Sequence, residues 1–239
     1  MNDKSSIACA GIIAAGEGAR LAASFPDKIK PLVPVAGVPL CHWIAGALRR
    51  AGVREITILL NNRGHDVPRS LESAFPAIRW SFLFADTASS WESFRLVCRA
   101  LSERCDDFLV STVDALIRPE EISRFASAMR GRNALAGLAL TDFIDDEKPL
   151  YADLEAGWIR RLGQQAQEKK FATAGLYFMT REIAVRMPEA SRFSSLRDYL
   201  AHLTTEAGRL AGEPISKSID VDRPQDIRQA ENFLEALRW

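Results

Sequence analysis

The sequence of 239 residues predicts an α/β protein, with a mixed, mainly parallel sheet between helical layers. Three observations point there. Apolar runs alternate with helical patterns through the first half of the chain. The first run opens into a glycine-rich loop. Strand, helix and next strand are then spaced as in a parallel crossover unit. The length suffices for a sizeable core, and a single domain over residues 1–239 is expected.

Ile7 to Ile13 reads as the first, buried strand. It runs into Ala14-Ala15-Gly16-Glu17-Gly18-Ala19-Arg20-Leu21, and eight residues later comes Lys30-Pro31. Gly16 and Gly18 permit backbone angles closed to residues with a Cβ, so the chain can fold closely over a phosphate chain. Arg20 adds a planar fork and Lys30 a compact point charge. Together they read as a triphosphate clamp. A dinucleotide fingerprint would need glycine where Leu21 stands, and a Walker loop would end in Gly-Lys-Ser/Thr.

Pro39 to Gly52 has helical spacing, basic residues in its last turn and glycine beyond it. Arg54 to Leu60 is the second strand, and Asn61 to His65 the loop at its carboxyl end, where open α/β sheets meet ligands. Val67 to Phe75 reads as helix and Ile78 to Phe84 as the third strand. Asp86 to Ser90 is a helix entrance, followed by Trp91, Phe94, Val97, Cys98 and Leu101 on one face. Ser89 and Ser90 there either face a ligand or cap the helix. The fourth strand, Asp107 to Thr112, delivers Asp114, which either offers oxygen to a hard divalent cation or caps the turn into the helix from Pro119. Beyond it the rhythm changes. Strands at Ala134–Thr141, Leu150–Leu154, Trp158–Leu162 and Ala172–Met179 form an extension over the substrate side. Helices are expected at Arg181–Met187 and Ser194–Gly208, a late strand at Ile215–Ile219, and a last helix ending near Trp239. Asp222, with Pro224 and Gln225 after it, also reads as an N-cap.

Gly-x-Gly-x-Arg-Leu, a spacer and Lys-Pro, continued through Leu32 to Leu40, resembles the signature of the nucleotidyltransferases that make NDP-sugars and related activated head groups. Asp220-Val221-Asp222-Arg223-Pro224-Gln225-Asp226-Ile227 is similar to the family's Asp-Ile-Asp-Thr-Pro-Glu-Asp-Leu. Thr173-Ala174-Gly175-Leu176-Tyr177 resembles its Asn-Ala-Gly-Ile-Tyr, with Thr173 in place of Asn. Ser89 to Phe94 is loosely similar to a segment of phosphocholine and inositol-phosphate cytidylyltransferases. The resemblance implies a three-layer α/β/α, Rossmann-like fold of the GT-A type with a small β extension. Its nucleotide-binding part would span about 1–130 and its substrate-side part about 131–239. It implies a Mg2+-dependent enzyme that moves a nucleotidyl group from an NTP to a phosphorylated small molecule and releases pyrophosphate. A sugar-1-phosphate is the foremost acceptor, with phosphocholine or inositol phosphate as the alternative and a molybdopterin as a further rival. By the same resemblance Arg20, Lys30 and Asp114 are catalytic, and Ala14, Ala15, Gly16, Glu17, Gly18, Ala19, Arg20, Lys30, Ser89 and Ser90 bind nucleotide. Lys169, Lys170, Thr173 and Gly175 bind the acceptor, and Asp114 and Asp222 hold Mg2+.

Two other classes stay open. Asp220-Val221-Asp222 fits the Asp-x-Asp of GT-A glycosyltransferases, although the Arg20 and Lys30 clamp would then lack a purpose. A non-catalytic nucleotide-binding homologue would suit two departures from the family's pattern, Thr173 in place of Asn and Val113 where glycine or another small residue often precedes the aspartate.

Composition narrows the partners. With 31 basic and 31 acidic residues the net charge is zero, which argues against broad nucleic-acid or anionic-membrane binding. No apolar run reaches the length of a membrane span, and a cytoplasmic location is expected. The four cysteines, at 9, 41, 98 and 105, lack Cys-x-x-Cys spacing and read as buried free thiols. The three histidines show no triad or metal spacing, and none is assigned to catalysis.

Overall fold

A computed structural model describes residues 7–206 and 210–235. The ends expected for two helices, at Gly208 and Trp239, lie outside the described residues.

The first half alternates as its sequence predicts. Strand β1 (Cys9–Ala14) leads through the glycine loop into a single helical turn, α1 (Ala19–Ala22), and then to a 3-10 turn at Lys30–Leu32. A minute hairpin, β2 (Pro34–Val35) and β3 (Val38–Pro39), aims the chain into α2 (Leu40–Arg50). Next come β4 (Glu55–Leu60), α3 (Val67–Ala74), β5 (Arg79–Phe84) and α4 (Ser90–Ser102). Then β6 (Asp107–Thr112), a short β7 (Ala115–Ile117) and α5 (Pro119–Gly131) complete this half. The second half holds β8 (Ala136–Thr141), β9 (Tyr151–Glu155), β10 (Trp158–Leu162) and the long β11 (Phe171–Thr180). It ends with α6 (Arg181–Val185), α7 (Leu196–Glu206), β12 (Leu210–Pro214), β13 (Ser218–Asp220) and α8 (Pro224–Glu235).

One sheet of nine strands, in the order β5-β4-β1-β6-β11-β8-β12-β10-β9, runs through the molecule. From β5 to β6 all pairings are parallel, so β1, β4 and β6 end on the same edge, beside the glycine loop. Strand β11 lies antiparallel between β6 and β8 and joins the two halves. The second half is mixed, with β12 parallel to β8, and β9 and β10 antiparallel. Two apolar clusters cover the two faces. One gathers α2, α3, α5 and α8 through residues such as Ile44, Leu71, Phe125 and Phe233. The other gathers α4, α6 and α7 through Trp91, Phe94, Ala184 and Tyr199. Trp91 and Phe94 are fully buried, each contributing about 1.5–3 kcal/mol by the area it removes from water.

The structure corrects the expected late strand at Ile215–Ile219: residues 215–217 connect two strands, and only Ser218 and Ile219 fall in one, β13. Strand β12 ends at Pro214; Ile215 N–H still donates to Leu140 O (2.7 Å), and Glu121 then takes Ser216 N–H (2.8 Å) as the chain turns towards β13. A second correction concerns the thiols. Cys9 and Cys105 form a disulfide that ties the start of β1 to the turn before β6, whereas Cys41 and Cys98 are free and buried. Among the described residues, no helix is long and apolar enough to cross a membrane.

Candidate active site

The loop after β1 turns on Gly18, the N-cap of α1, which is left-handed at φ 63. Gly18 O accepts from Leu21 N–H and Ala22 N–H, closing the turn. A Cβ at Gly18 would lie 2.7 Å from Lys30 Cβ, so the lysine stem packs directly beneath the loop. Ala14 and Ala15 are buried, while Gly16, Glu17, Ala19 and Arg20 are exposed at the mouth. Asn61, at the end of β4, holds the loop by donating to Ala15 O (3.3 Å).

Lys30 is 8% exposed, and its ammonium donates to Asp114 Oδ2 (2.5 Å) and to Asp222 Oδ1. Sheet register explains how carboxylates so far apart in sequence meet. Strand β13 pairs antiparallel with β7, Asp220 opposite Ala115, and Val221 N–H donates to Asp114 O (3.1 Å). Asp222 therefore emerges beside Asp114. Arg20 reaches the same group from the loop, Nη1 standing 3.9 Å from Asp222 Oδ2. Asp226 Oδ2 accepts from Asp222 N–H (3.0 Å) and Arg223 N–H (2.7 Å). Asp226 is thus the side chain that satisfies the entrance of α8, which leaves the Asp222 carboxylate to Lys30. Likewise Arg118, not Asp114, is the N-cap of α5.

Burial alone would lower the Lys30 pKa, but Asp114 and Asp222 outweigh it and hold the ammonium above the ordinary lysine range. For Asp114 burial pushes the carboxyl up, and the Lys30 charge with a Thr112 hydrogen bond brings it below the usual range. Asp220 behaves differently. Desolvation, then the charges of Asp114 and Asp222, push its carboxyl up to about 7. It is a third carboxylate at the cluster, a role the sequence reading did not give it. Alternation along an extended segment was the available signal, since Ser218, Asp220 and Asp222 fall on one side.

The remaining expected site residues divide. Thr173 lines a cleft beside the cluster together with Thr141, Phe143, Asp145, Asp146, Ser218 and Asp220. Gly175, at φ 71, is required by close packing, because a Cβ there would meet Ala115 Cβ at 2.6 Å and Thr112 Oγ1 at 2.8 Å. Ser89 caps α4, its hydroxyl accepting from Glu92 N–H (3.1 Å), and Ser90 Oγ accepts from Leu196 N–H (3.0 Å). Lys169 occupies a left-handed turn at φ 47 and lines a separate open cleft with Tyr151 and Arg197. Lys170 Nζ lies 5.0 Å from the centre of the Phe171 ring. Neither lysine bonds to the Lys30 cluster among the described residues.

A glycine loop on a parallel sheet edge, with lysine, arginine and carboxylates converging on it, defines a nucleotidyltransferase. The chain belongs to the family of MobA-like NTP transferase domains, which matches residues 10–176. It is similar to the CMP-5'-(3-aminopropyl)phosphonate synthase of Streptomyces rubellomurinus (strain ATCC 31215), 24% identical over 248 residues. That match covers 92% of this chain but only 38% of the relative's length. In fold it is similar to the inositol-1-phosphate CTP transferase from T. maritima, with TM-score 0.83, 17% identity and 96% of each chain covered. It is also similar to a putative glucose-1-phosphate thymidylyltransferase from Bacillus anthracis in complex with a sucrose, with TM-score 0.82, 18% identity and 95% of each chain covered.

Proposed function

We propose that this enzyme transfers a nucleotidyl group from an NTP to a small phosphoryl acceptor and releases pyrophosphate, with Mg2+ held by Asp114 and Asp222. The observation that carries the reading is Lys30, buried beneath the glycine loop and joined to both aspartates. The work is done on one domain, with a nucleotide-binding part to about residue 130 and a substrate-side part beyond it. Gly16 and Gly18 bring the backbone close to the triphosphate, and Arg20 and Lys30 offset its charge. When bound, Mg2+ would supply Lewis-acid stabilisation of the phosphate oxygens. A phosphate monoester, with a second pKa of about 6, is largely ionised near pH 7, so the acceptor needs no base to attack the α-phosphorus. The histidines are engaged elsewhere, His42 with Ser70 Oγ (2.8 Å) and His65 stacked on Phe84.

Of the acceptors, a sugar-1-phosphate is the first expectation from sequence. The cleft favours a different one. Its lining of Asp145, Asp146 and Asp220 suits an ammonium group; the Phe143 ring beside it is already covered by Lys217, whose Nζ lies 3.8 Å from the ring centre. The Streptomyces relative is named for an aminopropylphosphonate product. We therefore favour cytidylyl transfer from CTP to an amine-bearing phosphate or phosphonate. Pyrophosphate release should be measured with CTP, UTP, dTTP and GTP against glucose-1-phosphate, inositol-1-phosphate, phosphocholine and 3-aminopropylphosphonate. Turnover with CTP and an amine-bearing acceptor supports this reading. Preference for glucose-1-phosphate would restore the sugar reading, and nucleotide binding without turnover on any acceptor would favour a non-catalytic homologue.

A further inference from the structure

The Lys30 ammonium bonds both Asp114 and Asp222, the two carboxylates read above as the metal pair. These carboxylates fit Mg2+, which binds through one or two carboxylates and takes the rest of its shell from water and phosphate. An ammonium bonded to both carboxylates disfavours a metal ion on the same pair, because two cations held that close repel each other. The lysine stem, though, runs beneath Gly18, against the loop read above as the triphosphate seat.

We propose that Lys30 is a resident counter-ion that keeps the carboxylate pair closed to metal until a triphosphate arrives. The phosphates would draw the ammonium towards the loop, and Asp114 and Asp222 would then be free to hold the divalent ion. Metal and nucleotide would then enter together, and the free enzyme would hold little metal. The proposal rests on the assignment of Asp114 and Asp222 as the metal pair.

Mn2+ is the probe, its uptake followed by electron paramagnetic resonance on nucleotide-free wild type and on Lys30→Met. Removing the ammonium should strengthen Mn2+ binding at least tenfold, and Asp114→Asn in the Lys30→Met background should abolish the gain. In wild type, a non-hydrolysable CTP analogue should recruit Mn2+ that the protein alone does not take up. Equal Mn2+ affinity in wild type and Lys30→Met would overturn the proposal. So would stoichiometric uptake by nucleotide-free wild type that is lost in Asp114→Asn, a test that stands even if Lys30→Met does not fold. If no protein took up Mn2+, with the analogue or without it, the metal assignment itself would fall and the proposal with it.

Discussion

Replacing Gly18 by alanine tests how the loop and Lys30 depend on each other. At φ 63 the added methyl costs about 1–2 kcal/mol in backbone strain, the penalty for a Cβ in the left-handed region. It would also lie 2.7 Å from Lys30 Cβ, where ordinary carbon contacts are about 3.5–4.0 Å, so loop or lysine must move by roughly 1 Å. Displacement of that size at a reacting centre costs about a hundredfold in rate. Gly18→Ala should therefore lose about 1–3 kcal/mol in urea unfolding and roughly a hundredfold in pyrophosphate release. Gly16→Ala is the control. Nothing lies within 4 Å of its would-be Cβ, so the fold should keep its stability while the KM for NTP rises, the methyl standing in the open mouth of the loop. A Gly18→Ala protein as stable and active as wild type would refute the claim that this glycine seats the lysine.

Four further outcomes follow from contacts elsewhere in the fold. Unfolded without reductant, the chain should show two titratable thiols, those of Cys41 and Cys98; with the Cys41 thiol pushed up to about 12 by burial, the native protein should react slowly with thiol reagents at pH 8. Cys9→Ser should cost about 2–5 kcal/mol for a link across 96 residues and leave turnover intact, because Cys9 lies at the far end of β1 from the loop. Asp226→Ala removes the acceptor of two backbone donors, so it should cost about 1 kcal/mol and raise the Mg2+ concentration that half-saturates turnover. An unchanged Mg2+ requirement would confine Asp226 to capping. For Asp220, a folded pKa pushed up to about 7 means that its contribution to stability is full below about pH 4 and lost as pH rises through 7. In EDTA, Asp220→Asn should flatten that part of the pH–stability curve relative to wild type; parallel curves would contradict the assigned environment.

The parallel half of the fold is legible because each strand there is an apolar run bounded by a cap or turn signal. That regularity fails further on: β12 reads Leu210-Ala211-Gly212-Glu213-Pro214, with no β-branched residue and with glycine and proline inside it. Gly212 is needed there for packing, since its Cβ would lie 2.6 Å from Leu154 Cδ1, and that neighbour comes from another strand. In the site, the glycine loop, Lys30 and Asp114 can be picked out as residue types at given positions, and Asp222 through the family resemblance. That Lys30 is buried between two carboxylates cannot, because the contact depends on β13 returning to pair with β7. The Cys9–Cys105 bond is hidden for the same reason, its partners separated by most of the parallel half. Ser89 and Ser90 carry equal letters for capping and for ligand binding, and only the bonds to Glu92 and Leu196 show where their hydroxyls are used.

The most direct test removes the carboxylates one at a time. With a nucleotide and acceptor pair that wild type turns over, Asp114→Ala and Asp222→Ala should each reduce pyrophosphate release by about a hundredfold or more, roughly 3 kcal/mol of transition-state stabilisation, in proteins that remain folded. Wild-type rates of pyrophosphate release in either variant would contradict the account.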